Sequence, residues 1–110
     1  MKVIVVGNGI QGKKRKLFLA KNEFICSVDP YCSKSKFKLI KNVPIDSYDT
    51  VFICTPESEK IKIIEYCIKN KKNCLIEKPF PNYDKRKIKS LEKLANKNNI
   101  VCYTAYNHRF

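Results

Sequence analysis

Three glycines at the start of the chain carry the first chemical signal. Gly7, Gly9 and Gly12 stand in GNGIQG directly after the apolar run Val3 to Val6, and a basic stretch follows at once. A strand entering a G-x-G-x-x-G turn that opens a helix builds a phosphate cradle. The first glycine makes the tight turn, the second lets a diphosphate approach the backbone, and the third lets helix and strand pack closely. The free N–H groups and partial positive charge of the helix start then face the phosphates. Asn8, Ile10 and Gln11 complete the loop. Roughly 20 residues further on, Asp29 closes the next apolar run just before Pro30, where a carboxylate can hold the ribose hydroxyls of an adenosine. A carboxylate there repels a 2′-phosphate, which favours NAD over NADP. Lys34 and Lys36 lie just beyond and soften that repulsion, so NADP stays admissible.

Other reactive residue types form no comparable constellation. The six cysteines are scattered without a C-x-x-C pair, and His108 is the single histidine, so no metal site is expected. Cysteines inside runs such as VFICT and NCLIE read as small buried hydrophobes of a reducing compartment.

The cradle needs a sheet behind it, and the hydropathy pattern supplies one. KVIVVG, FICSVD, DTVFICTP, NCLIEKP and IVCYTAY read as strands that are apolar throughout. Between them lie helical patterns. Ile10, Leu17 and Ala20 share a stripe in the first, with the basic residues on the other face. Ile61, Ile64, Cys67 and Ile68 share one in the second, and Ile88, Leu91, Leu94 and Ala95 in the third. Apolar strands alternating with helices call for a parallel sheet covered on both faces. The expectation is an α/β, doubly wound, Rossmann-type domain; strand order alone leaves a flavodoxin-like arrangement open. The stretch from Pro30 to Tyr48 is short for a complete helix and strand, so one of the standard elements is expected to be missing or vestigial.

Composition bounds the rest. At 110 residues with 44% hydrophobic content, the chain suits one packed domain, residues 1–110. No apolar run reaches the length of a membrane span, and the amino terminus lacks a secretory core, so a cytoplasmic location without membrane partners is expected. The net charge of +13 attracts phosphates of any kind. It comes from lysines spread along the whole chain, so no specific nucleic-acid partner is expected.

Two further stretches fall beyond carboxyl ends of strands: Thr55-Pro56 in CTPESEK, and Glu77-Lys78-Pro79 in IEKPFP. Together with the glycine turn and the terminal AYNHRF, they make the chain resemble the nucleotide-binding half of the glucose–fructose oxidoreductase / inositol dehydrogenase (Gfo/Idh/MocA) family. The resemblance implies that Lys78 acts catalytically at a substrate oxygen, that Glu77 positions its loop, and that Thr55, Pro56 and Pro79 run beside a bound dinucleotide. It also implies hydride exchange between a nicotinamide and a sugar, cyclitol or nucleotide-sugar carbinol. Family members continue into a larger α/β domain that carries the substrate pocket. That domain is expected to be absent here, which makes little turnover expected from these residues alone. A non-catalytic dinucleotide-binding sensor is the alternative.

Overall fold

A computed structural model describes residues 1–7, 9–17, 19–77 and 85–104. Five strands, β1 (Val3–Val6), β2 (Phe24–Val28), β3 (Thr50–Ile53), β4 (Asn73–Ile76) and β5 (Cys102–Thr104), form one parallel sheet in the order β2-β1-β3-β4-β5. Three helices connect them: α1 (Ile10–Leu17), α2 (Glu57–Lys69) and α3 (Lys85–Lys97). The path from β1 to β2 steps one way along the sheet and the later path steps the other. Right-handed crossovers therefore put α1 on one face and α2 and α3 on the opposite face.

Each strand reads as its composition requires. All four residues of β1 are buried, at 4% exposure or less, because β1 is central and covered on both sides. On the α2 face, Ile61, Ile64, Cys67 and Ile68 meet Ile4, Val51, Ile53, Cys74 and Ile76, while Leu91 and Ala95 extend the cluster beneath α3. An ion pair from Lys87 to Glu65, at 2.6 Å, ties α3 to α2. The second helix ends where Lys71 turns left-handed and the third where Asn99 does, closing both C-termini with backbone bonds.

The first helix departs from its sequence pattern. It closes at Leu17, which is 83% exposed, and the exposed Ala20 lies outside it. Among its described positions, Gly12 is the buried one, set against β1. Arg15 does not sit on a solvated basic face either, as the site below shows.

The named strands alone give a flavodoxin-like order, but the segment after β2 changes that reading. Phe37 bridges Val28 in parallel on the outer edge of β2, with Asp29 N–H donating to the Phe37 carbonyl at 3.0 Å. This single rung occupies the place of the third strand of a Rossmann sheet. Two 3-10 turns, Ile40–Asn42 and Ile45–Ser47, then carry the chain across to β3, so the standard strand is vestigial and no helix precedes it.

Candidate functional site

The glycine turn lies at the carboxyl edge of the sheet, between β1 and α1, and its three glycines face three different surroundings. Gly7 has φ +97°, and a Cβ there would lie 2.6 Å from the Cys54 carbonyl oxygen. The conformation and the space both exclude a side chain. A Cβ on Gly12 would lie 1.8 Å from the Gly7 oxygen, so α1 can approach β1 only without one. Gly9 is the opposite case: a Cβ there would meet nothing within 4 Å among the described residues. The described surroundings do not require glycine at that position. The turn is braced by Gly7 N–H to the Val28 carbonyl at 2.7 Å and by Cys54 N–H to the Val6 carbonyl at 2.8 Å.

Beside the turn, the ends of β1, β2 and β3 open into a cavity of about 580 Å3. Val6, Val28 and Thr55 form its floor, Pro30 and Lys38 to Lys41 one wall, and Ser58, Glu59, Lys62, Ile63 and Tyr66 of α2 the other. The volume lies in the range of small-molecule sites. Thr55 is 8% exposed, and its Oγ1 is buried with no hydrogen-bond partner among the described residues. A buried hydroxyl without a partner is costly, and a polar ligand group would satisfy it. Pro56 is the exposed residue that precedes α2.

Asp29 stands at the end of β2, half-buried, and its Oδ1 accepts the Tyr31 N–H at 2.8 Å. Both of its neighbours, Val28 and Pro30, line the cavity, whereas Asp29 itself is not on that wall. Ile10 and Gln11 open α1. Asn8, Lys78 and Pro79, and the terminal AYNHRF from residue 105 onward, lie outside the described residues.

Glu77 is held from three directions. Its N–H donates to the Ile53 carbonyl at 2.9 Å. Its carbonyl accepts from Lys60 Nζ, and its carboxylate pairs with the Arg15 guanidinium. Thus β3, α2 and α1 all meet at the residue where β4 ends. Lys60 is fully buried and Glu77 is 6% exposed, so the junction is an internal polar cluster. Burial, with the Glu77 carboxylate next in effect, pushes the nearby Cys54 thiol up to about 12. That thiol stays protonated at neutral pH and offers no nucleophile.

Sequence reasoning missed Arg15 and Lys60. For Lys60 a signal exists: it falls four residues before Ile64 and eight before Ile68, inside the apolar stripe of α2, where a lysine needs an internal acceptor. For Arg15 there is none, because its partner lies 62 residues away.

Comparison with known proteins gives three findings. The model of a family described as "Oxidoreductase family, NAD-binding Rossmann fold" (Gfo/Idh/MocA) matches residues 1–106. No curated protein matches the chain. Among solved structures, UDP-N-acetylglucosamine 3-dehydrogenase from Acidithiobacillus ferrooxidans superposes with a TM-score of 0.82 at 22% identity, over 96% of this chain and 38% of that one. GenD2 from gentamicin A biosynthesis, in complex with NAD, gives 0.80 at 19% identity over 94% and 34%. The myo-inositol 2-dehydrogenase from Lactobacillus plantarum gives 0.77 at 14% identity over 96% and 36%. At these identities the likeness is one of fold, and the chain spans little more than a third of each of these proteins.

Proposed function

The chain belongs to the Gfo/Idh/MocA oxidoreductase family, and from that premise we propose that residues 1–110 are a dinucleotide-binding unit of the NAD(P) type working at the carboxyl edge described above. One observation carries the reading: Gly7 and Gly12 are closed to any side chain by the protein's own backbone, while Gly9 faces open space among the described residues. A turn selected only for folding would not need glycine at the open position. A diphosphate resting on that backbone does. In this reading Asn8, Ile10 and Gln11 present backbone N–H groups to the phosphates. The adenosine occupies the cavity beside Pro30 and Pro56, and the buried Thr55 hydroxyl donates to the ligand. Asp29 takes the ribose 3′ hydroxyl from the end of β2.

A bound nicotinamide would supply or accept a hydride. The chain's own part is to bind and orient it. Lys78, directly after the triply held Glu77, would hydrogen-bond the substrate oxygen and hold or move its proton, with Pro79 limiting the backbone beyond it. A second domain or subunit would supply the pocket for a sugar-like carbinol, so little turnover is expected without it. A test is to titrate the protein with NADH and follow the cofactor's own fluorescence, for the unaltered chain and for Gly9→Val. The variant should keep its melting temperature and lose at least tenfold in affinity. Unchanged affinity would remove the cradle.

A further inference from the structure

The cavity wall is more positive than an unphosphorylated adenosine needs. Its charged lining consists of Lys38, Lys41 and Lys62 against the single carboxylate of Glu59. None of the three lysines forms an ion pair among the described residues. Three lysine side chains lining one cavity can bring their ammonium ends to an anion seated there, which relieves their mutual repulsion.

The vestigial third strand is what places two of these cations. Lys38 directly follows Phe37, whose carbonyl is fixed by Asp29 N–H and whose ring packs against the core. Lys41 sits in the 3-10 turn whose Ile40 also packs against the core. Lys62 faces them from α2. Their backbone positions are therefore set before any ligand arrives, and only the side-chain ends remain to be ordered.

We propose that this cavity receives an adenosine carrying a phosphate on its ribose 2′ oxygen, so that the chain binds NADP(H) at least as tightly as NAD(H), with Lys38, Lys41 and Lys62 meeting the added phosphate. The proposal rests on the dinucleotide reading above and reverses the NAD preference drawn from Asp29. A carboxylate at a strand end disfavours a 2′-phosphate only where it faces that phosphate. Here Asp29 has one oxygen engaged by the Tyr31 N–H, and the cavity wall is formed by its two neighbours. Two ribose hydroxyls give three lysines nothing to neutralise. A phosphate monoester, carrying close to two charges at pH 7, does.

The experiment is a set of parallel titrations of the chain with NADH and NADPH, and with 5′-ADP and 2′,5′-ADP as fragments that lack the nicotinamide. NADPH should bind at least as tightly as NADH, and 2′,5′-ADP more tightly than 5′-ADP. Added salt should reduce that advantage. In the double variant Lys38→Ala, Lys41→Ala, the ratio of NADPH to NADH affinity should fall about tenfold, a difference of about 1.4 kcal/mol. Both substitutions are on exposed side chains, and circular dichroism confirms that the variant folds. NADPH binding tenfold more weakly than NADH overturns the inference and leaves the dinucleotide reading standing. So does an equal loss for both cofactors in the variant. If neither cofactor binds, the dinucleotide reading falls and takes this inference with it.

Discussion

The turn after β1 and the segment after β2 leave the same edge of the sheet, and opposite kinds of constraint build them. In the turn, backbone atoms crowd so closely that residue type is dictated: 1.8 Å at Gly12 and 2.6 Å at Gly7 leave room for hydrogen only. In the segment, one bridge at Phe37, the buried side chains of Val43 and Tyr48 and a few partly buried ones hold some twenty residues in place, and most of its positions are exposed. Steric exclusion writes itself into the sequence. Loose packing does not. Most of the residue-level freedom at this edge therefore lies in the segment, which carries Lys38 and Lys41, two of the three lysines that line the cavity.

The sharpest way to break this comparison is to add one methyl group at Gly12. Gly12→Ala should destabilise the chain by about 3 kcal/mol or more, since the only atoms that can yield are backbone. Urea unfolding measures it, and a loss below about 1 kcal/mol would mean that α1 is free to shift. The segment should respond less to losing a whole ring. Phe37→Ala removes a half-buried aromatic and the packing that secures the rung, for about 1.5 kcal/mol, less than the 3–5 kcal/mol of a fully buried one. A loss equal to that of Gly12→Ala would erase the distinction between the two regions.

The smallest effect lies where the segment returns to the sheet. Burial alone would raise the Asp49 carboxyl, but hydrogen bonds from the Thr50 hydroxyl and the Lys2 N–H, with Lys72 nearby, hold it below its ordinary 3.8. A depressed native value contributes stability that is present above 3.8 and lost as pH falls through the native value. Asp49→Asn should therefore flatten the stability profile below about pH 4 and leave its shape near neutrality unchanged. A profile identical to that of the unaltered chain would show that the carboxylate is not engaged.

How far the sequence could be read follows from the same contrast. The strands, α2 and α3 were legible because apolar period and burial agree there residue by residue, as at Ile64, Ile68 and Ala95. The glycine turn was legible because its demands are local. The short first helix was not: Leu17 continues an apolar period that no core receives. The Phe37 rung was not, because a single bridge has no pattern of its own. Arg15 and Lys60 were hidden in a lysine-rich chain where one more basic residue looks like surface. Only the third dimension shows that both converge on Glu77.

The one-residue rung has a consequence for how the protein behaves at high concentration. Phe37 covers the outer edge of β2 only near its carboxyl end; toward Phe24, no strand among the described residues pairs with that edge, and Ile25 is 37% exposed on it. A bare strand margin invites another chain to lie alongside it. The high positive charge of the chain works against that encounter by keeping like molecules apart. Colloidal behaviour should thus depend on ionic strength, with light scattering rising as salt shields the repulsion that a full third strand would have made unnecessary.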